Sequence, residues 1–308
     1  MIEPVDLWIT DAVGWMVVAA FVVTWILDFA RSNDIHTELF GRVARAVGAG
    51  AWVAFGVFWL LLVPRFAFEM RSPIEGALAV LAVPACAYAG YLLWDGRDSL
   101  FTLTHAVAVM GVIYLPFETI PILREVAVET VAAQTYAVIT WFGYDVVLTQ
   151  GPNNFQSGLE FTYAGESYST HIVLACTGLG SMTIFAGLIA ALKAPLDRKL
   201  LATAAAVGVI YVLNIVRNVF IAVAFGNQWF QVFVGEISAL AGYNQPGLVS
   251  YFIADRVIAQ SMSVVALVAI ALLVVRIVPE LLDLLEEAVF VLTNTEIDLA
   301  GALNVDER

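Results

Sequence analysis

The sequence predicts an all-α integral membrane protein with about seven transmembrane helices, an outward interfacial helix and a short β-hairpin between helices 4 and 5. Hydrophobic residues make up 61% of the 308 positions, and charged residues only 13%, about half of the roughly 25% found in soluble domains. A water-soluble fold could not bury that much apolar surface. The class therefore follows from composition and from repeated apolar runs of membrane-spanning length.

Apolar runs of about 20 residues are long enough to cross the hydrocarbon core as helices. Such runs occur at residues 12–30, 46–64, 73–94, 100–121, 172–192, 200–226 and 251–278. They predict one polytopic membrane domain over residues 1–278. The remaining residues, 279–308, form a short acidic tail that we expect to be cytoplasmic, and its segment PELLDLLEEAVFVL predicts a surface helix.

The outer segment 122–171, between the fourth and fifth runs, is not a clean span. Residues 122–143 predict an interfacial amphipathic helix, because charged side chains interrupt their apolar pattern. The runs LEFTY and SYSTHIV alternate around an Ala-Gly-Glu turn and predict a β-hairpin outside the bilayer. An eighth span near 126–148 is the alternative, and it would bring Glu129, Gln134 and Asp145 into or near lipid.

The distribution of basic residues in short loops predicts the orientation of the spans. With alternating spans, one side receives Arg31, Arg42, Arg45, Arg97, Lys193, Arg198, Lys199, Arg276 and Arg308. The other side receives Arg65, Arg71 and Arg124. We expect the side richer in basic residues to be cytoplasmic, so that the N-terminus and the segment 122–171 face outward and the C-terminus faces inward.

The chain is strongly acidic, with a net charge of −13 and only two lysines among its 14 basic residues. Dense carboxylates keep a surface hydrated at high salt, so this composition predicts a halophilic source. The charge argues against nucleic acid as a partner. Cys86 and Cys176 both lie in apolar runs and do not indicate a disulfide framework. No metal-binding or nucleotide-binding motif is present, so we expect no cofactor.

Three residues that are costly or reactive in lipid fall at similar depths in three predicted helices. Cys176, in the stretch LACTGLGSM, lies about one turn below the outer end of the fifth run. At 1.5 Å per residue, Arg217 lies about 13 Å from the outer end of the sixth run, and Arg256 about 8 Å from that of the seventh. An arginine within a span costs at least about 2.5–3.5 kcal/mol, so two at matching depth indicate a function.

Polar stripes accompany both arginines. They follow the spacing i, i+3, i+4 on the sixth run and i, i+4, i+7 on the seventh, which places each stripe on one helix face. Their members are Asn214, Arg217 and Asn218 on the sixth run, and Arg256, Gln260 and Ser263 on the seventh. In the alternative interpretation each arginine snorkels to the interface or pairs structurally, as Arg256 would with Asp255.

The combination of one thiol and two guanidiniums predicts acyl transfer. A thiol in a low dielectric resists ionisation, but two permanent positive charges favour the thiolate, which is the reactive form. Arginine stays protonated and cannot act as an ordinary general base. One arginine would then be available to stabilise the oxyanion of a tetrahedral intermediate with its forked donors.

His171 is an alternative proton acceptor, five residues before Cys176. Five positions along a helix correspond to about 140° around its axis, which is a poor offset unless the helix begins after His171. The other interpretation makes His171 an exposed residue of the hairpin.

Cys176 in LACTGLGSM, Arg217 in NIVRN and Arg256 in YFIADR resemble the signature positions of the exosortase/archaeosortase family. Exosortases carry histidine at the third position, so Arg256 matches the archaeal branch. The resemblance implies that Cys176 is the acyl-thioester nucleophile. It also implies that Arg217 occupies the position given a proton-donor role and that Arg256 stabilises the transition state.

The same resemblance implies a cysteine transpeptidase or protease of the cell membrane, with its active site near the outer leaflet. Its substrates would be exported proteins with a C-terminal sorting signal, which consists of a Pro-Gly-Phe motif, a transmembrane anchor and a basic tail. An S-layer glycoprotein is an example of such a substrate. The enzyme would cut near the motif and promote attachment of the protein to a membrane lipid.

Three other functions stay open from the sequence. Arg217 and Arg256 would bind an anion in a transporter or channel. They would hold a phosphate in a lipid-headgroup transferase, where Cys176 is incidental. A structural subunit without catalysis is the third alternative.

Overall fold

The computed structural model describes residues 7–32, 37–69, 73–241, 245–299 and 301. Arg71 and Arg308, which contribute to the predicted orientation, lie outside these residues. The chain divides into two compact units. The first comprises Met1–Leu115, Thr183–Thr203 and Ile277–Arg308, and the second comprises Pro116–Met182 and Ala204–Arg276.

The described residues form mainly helices. In chain order these are α1 (Leu7–Ser32), α2 (Thr37–Pro64), α3 (Pro73–Asp95), α4 (Leu100–Thr119), α5 (Pro121–Trp141), α6 (Leu179–Ala191), α7 (Leu196–Gly226), α8 (Val234–Ala241), α9 (Leu248–Tyr251), α10 (Gln260–Ile277) and α11 (Leu281–Thr293). A π-helical segment, Arg65–Glu69, continues α2, and another, Phe252–Ala259, joins α9 to α10. Strands β1 (Val147–Gln150), β2 (Gln156–Tyr163) and β3 (Glu166–His171) form one sheet.

Six of the described helices are long and apolar enough to cross a membrane. They are Trp8–Ser32, Glu38–Ala67, Gly76–Asp95, Leu100–Thr119, Leu196–Gly226 and Leu248–Ile277. These helices and the small sheet confirm the predicted fold class, a helical multi-pass membrane protein.

The predicted fifth span, residues 172–192, is not one continuous helix. A 3₁₀ turn at Leu174–Thr177 is followed by Gly178 in the left-handed conformation (φ 78°), and α6 then begins. The 13 residues of α6 cover about 20 Å at 1.5 Å per residue, against about 30 Å of hydrocarbon. The count of seven full-length spans is therefore not confirmed.

In the first unit, α2 packs against both α1 and α3, around an aromatic core. The fully buried ring of Phe21 meets Trp52 edge-on, with ring centroids 5.3 Å apart. At a polar end of these helices, Asp98 accepts hydrogen bonds from Arg31 at 2.8 Å and Arg45 at 2.7 Å. Apolar packing and this shared ion pair together tie α1 and α2 to the start of α4.

The predicted surface helix of the segment 279–308 occurs as α11, within the first unit. Arg97 donates two hydrogen bonds to the carboxylate of Glu287, at 2.9 and 3.0 Å. Its guanidinium lies 3.6 Å from the centroid of the Phe290 ring. A forked ion pair and a cation–π contact therefore hold α11 against the loop that joins α3 to α4.

In the second unit, β2 and β3 form the predicted hairpin. Its turn residues, Ala164 and Gly165, both have positive φ, at 52° and 84°, as a type I′ turn requires. The additional strand β1 pairs antiparallel with β2. It was not predicted because four residues, Val147–Gln150, are too few to establish an alternating pattern.

The predicted interfacial helix occurs as α5, which is not among the six candidate spans. Glu129 on α5 accepts the backbone N–H of Gln156 at 2.8 Å, at the start of β2. Gln134 accepts a hydrogen bond from the hydroxyl of Tyr211 on α7. These two polar side chains of α5 therefore have hydrogen-bond partners in the sheet and on α7.

Candidate functional site

Cys176 lies in the 3₁₀ turn between β3 and α6, and this turn packs against α5. Its side chain is half-buried. Because α6 begins only at Leu179, the carbonyl of Cys176 lies ahead of the regular helix. A backbone carbonyl in such a setting needs a hydrogen-bond partner from elsewhere in the protein.

Two asparagines of α7 supply partners for this carbonyl. Asn214 Nδ2 donates to the Cys176 oxygen at 2.7 Å, and Asn218 Nδ2 donates to the same atom at 2.8 Å. The two asparagines are four residues apart and therefore lie on one face of α7. Asn218 is only 3% exposed, so its hydrogen bond is shielded from water.

Gly178 allows the turn to approach α7 closely. Its φ of 78° lies in the left-handed region, which glycine adopts without a steric penalty. A Cβ atom at this position would lie 3.1 Å from Cγ of Asn214. A side chain here would therefore meet both backbone strain and the amide that holds Cys176.

Arg217 lies on the same face of α7 as the two asparagines. Burial raises the pKa of the Cys176 thiol, and the nearby Arg217 guanidinium acts in the opposite direction. Nη2 of Arg217 donates to Oδ1 of Asp255 at 2.6 Å. One permanent cation therefore lies near the thiol and binds a carboxylate.

Asp255 and Arg256 lie in the π-helical segment between α9 and α10. Such segments are rare and are frequent at functional sites. Asp255 is 8% exposed, and Nε of Arg256 lies 3.6 Å from its Oδ2. Two guanidiniums and one carboxylate leave this group with one excess positive charge, which a thiolate at Cys176 would balance.

Tyr251 is a further member of this group that the sequence analysis did not select. Its hydroxyl lies near enough to Asp255, four residues further along the helical run, for the two groups to interact electrostatically. Its ring meets Phe225 edge-on, with centroids 5.6 Å apart. The spacing i, i+4 between Tyr251 and Asp255 was the available signal.

The two remaining candidate site residues, His171 and Gln260, lie at the end of β3 and at the start of α10. His171 is an exposed residue at the end of β3, and a Cβ atom at Gly151 would lie 3.1 Å from its Nδ1. Gln260 is half-buried at the start of α10, one turn after Arg256. The side chains near Cys176 are instead those of Asn214, Arg217 and Asn218. Among the described residues, no group of three or more His, Cys, Asp or Glu side chains has the arrangement of a metal site.

Comparison with known proteins gives a consistent result. The family described as transmembrane exosortase (Exosortase_EpsH) matches residues 8–243. Archaeosortase A of Haloferax volcanii is 45% identical over 308 residues, which cover 97% of this chain and 99% of the relative. Archaeosortase A of Natronomonas pharaonis is 46% identical over 283 residues, which cover 90% of this chain and 87% of the relative. No solved structure matches the chain.

The helical multi-pass fold and the family match together define a membrane protein of the transpeptidase class. The matches extend over most of the sequence. The chain belongs to the exosortase/archaeosortase family, which confirms the resemblance found from its motifs.

Proposed function

We propose that the chain is a cysteine transpeptidase that cleaves a C-terminal sorting signal of the Pro-Gly-Phe type through a thioester on Cys176. Its substrates are exported proteins with a transmembrane anchor, such as an S-layer glycoprotein, and the product becomes attached to a membrane lipid. Membership of a family of membrane transpeptidases supports the reaction class. The observation that carries the proposal is the pair of hydrogen bonds that hold Cys176 against the face of α7 that bears Arg217, because a permanent cation beside a thiol favours the thiolate.

In the first half of the proposed reaction, the Cys176 thiolate attacks the scissile carbonyl. The carbonyl oxygen becomes an oxyanion, which a guanidinium donor of Arg217 or Arg256 stabilises. The peptide C–N bond then breaks, the leaving nitrogen takes up one proton, and an acyl-thioester remains on the sulfur. In the second half, the acceptor group attacks the thioester and releases one proton, which regenerates the thiolate and closes the proton balance.

Two structural features support transfer to a lipid or amine acceptor over hydrolysis. The turn that carries Cys176 packs against α5, which also contacts β2 through Glu129. Packing against α5 covers part of the turn, and exclusion of water protects a thioester from hydrolysis. In the orientation predicted from basic residues, this turn lies at the outer leaflet, where an anchored substrate presents its motif.

The anion-binding alternatives require guanidinium donors that are available for phosphate or another anion. Arg217 already donates to Asp255, and Arg256 also lies beside this carboxylate. A resident carboxylate competes with a bound phosphate and repels it. The ion pairs alone do not separate the alternatives, and family membership favours the thiol mechanism over a transporter or a headgroup transferase.

The decisive experiment replaces Cys176 by Ala and follows a co-expressed substrate that ends in a Pro-Gly-Phe signal, an apolar helix and a basic tail. We expect the wild-type chain to change the size of the substrate and Cys176→Ala to leave it unprocessed. Cys86→Ala is the matched control, because Cys86 is a buried thiol of α3. Unchanged processing by Cys176→Ala would exclude the thioester. A substrate adduct on Cys176 that hydroxylamine releases would establish it.

A further inference from the structure

We propose that Asn214 and Asn218 are positioning residues that hold the backbone of Cys176 on α7, so that one helix sets the distance between the sulfur and Arg217. The inference rests on the proposed role of Cys176 as nucleophile. It gives the side-chain amides of Asn214 and Asn218 a role in the reactivity of the Cys176 thiol, in addition to their place in the polar stripe of α7.

The first step of the argument is the geometry of the carbonyl. A carbonyl oxygen has two lone pairs, and the Cys176 oxygen accepts one hydrogen bond from each asparagine, at 2.7 and 2.8 Å. Two convergent donors restrain the position and the rotation of a peptide group more than one donor does. The loss of both would leave a partly buried carbonyl without these partners, which is costly.

The second step is the short side chain of cysteine. Its sulfur is connected to the backbone through a single torsion with three staggered positions. Once the carbonyl is held by Asn214 and Asn218, only the choice among these positions remains open. A thiolate would favour the position that lies nearest to the Arg217 guanidinium.

The third step is that both restraints come from the same helix. Asn214, Arg217 and Asn218 follow the spacing i, i+3, i+4 within one turn of α7. The same helix, α7, therefore holds both the backbone of the proposed nucleophile and the arginine beside it, as a preorganised site requires.

Asn227, directly after the end of α7, shows what a nearby asparagine does in an ordinary structural role. Its Nδ2 donates to the carbonyl of Val223, four residues earlier, at 3.0 Å. Asn214 and Asn218 instead donate across to a different segment, and both donate to the residue that carries the thiol. Asn227 is therefore a control for the loss of an asparagine amide that bonds only to its own helix.

The test uses the full chain in membranes with Cys86 replaced by Ala, so that Cys176 is the only thiol. Variants Asn214→Ala, Asn218→Ala, the double variant and Asn227→Ala are compared by two measurements. These are the rate of substrate processing and the pH at which alkylation of Cys176 by a maleimide is half-maximal. We expect each single variant to lower processing roughly tenfold, the effect of one lost buried hydrogen bond.

In the double variant we expect a larger loss of processing and a half-maximal alkylation pH that moves upward, because the sulfur is no longer held beside Arg217. Asn227→Ala should leave both measurements unchanged. Isosteric Asn218→Asp removes the donor but keeps the size of the side chain, so it should resemble Asn218→Ala. If the double variant or Asn218→Asp retains the wild-type alkylation pH and the wild-type processing rate, the positioning role is wrong.

Failure of this inference and failure of the proposed function give different results. If Cys176→Ala still processes substrate, the thioester mechanism fails, whatever the asparagine variants do. If Cys176→Ala is inactive but the asparagine variants behave like the wild type in both measurements, only the positioning role fails.

Discussion

Arg217 and Asp255 form an ion pair with 2.6 Å between Nη2 and Oδ1, and the side chain of Asp255 is 10% exposed. The cation that lies near the thiol of Cys176 is therefore itself held by a carboxylate from another helical segment. A charge in such surroundings depends on its partner, because removal of one member leaves the other uncompensated. This relationship leads to the first prediction.

Asp255→Ala should lower substrate processing by at least roughly tenfold, because Arg217 and Arg256 lose the carboxylate between them. The measurement is the initial rate of substrate cleavage in membranes, normalised to the amount of enzyme. Asp98→Ala is the matched control, since Asp98 also pairs with two arginines, Arg31 and Arg45. Equal rates for Asp255→Ala and wild type would show that Arg217 functions without its ion pair to Asp255.

Arg217→Lys should lower the rate of thioester formation by roughly 10²–10³-fold, the usual effect of losing an oxyanion donor. A lysine ammonium lacks the planar fork that would let Arg217 donate to a thiolate and a carboxylate together. The measurement is the burst of thioester trapped on Cys176 in a single turnover. Arg276→Lys, at an exposed position of α10, should retain the wild-type burst. A normal burst from Arg217→Lys would contradict the proposed role of the guanidinium.

Gly178→Ala should impair processing and lower the thermal stability of the protein in detergent. The new Cβ would meet Asn214 at 3.1–3.2 Å and would have to adopt a φ of 78°, a conformation that costs a non-glycine residue roughly 1–3 kcal/mol. Gly180→Ala is a sharp control two residues further on, because a Cβ atom there meets nothing within 4 Å. The prediction fails if the two alanine variants behave alike.

Asp98→Asn should destabilise the first unit at neutral pH but not in acid. The hydrogen bond from Arg45 is the main cause that holds the pKa of Asp98 below its usual value, and Arg31 adds to it. A lowered carboxyl pKa contributes stability above the unfolded-state pKa of about 3.9, and this contribution is lost as pH falls through the folded-state pKa.

The measurement for Asp98 is the melting temperature of wild type and Asp98→Asn in detergent across a pH series. Because Asp98 is 39% exposed, we expect a difference of only roughly 1–3 °C at pH 7. The two curves should converge as the pH falls below about 4. A difference that is constant across the pH series would mean that the ion pair does not carry the effect.

The membrane helices were predictable because long apolar runs have few alternatives. The break before α6 was not, since the apolar run 172–192 continues through Gly178 and only the left-handed backbone reveals where the helix starts. The strand β1 was missed for a different reason, because its pairing with β2 is a long-range contact that leaves no local pattern in four residues.

The candidate site was predictable to a similar degree. Helical spacing placed Asn214, Arg217 and Asn218 on one face of α7, and the structure brings this face to Cys176. The pairing of Arg256 with Asp255 was the structural alternative in the sequence analysis, and it occurs. The pairing of Arg217 with Asp255 was not predicted. Such a contact depends on how separate segments pack, and the catalytic roles of these residues stay predictions.

The attachment of the Cys176 carbonyl to α7 has a consequence for enzymes that work in variable lipid. A bilayer that thins, thickens or changes its sterol and headgroup content makes helices tilt or slide along the membrane normal. Because Cys176 and Arg217 are both held by α7, such a displacement would move the proposed nucleophile and its arginine together. A change in the bilayer would then leave the distance between the Cys176 sulfur and the Arg217 guanidinium unchanged. It would alter only the alignment of this pair with an incoming substrate.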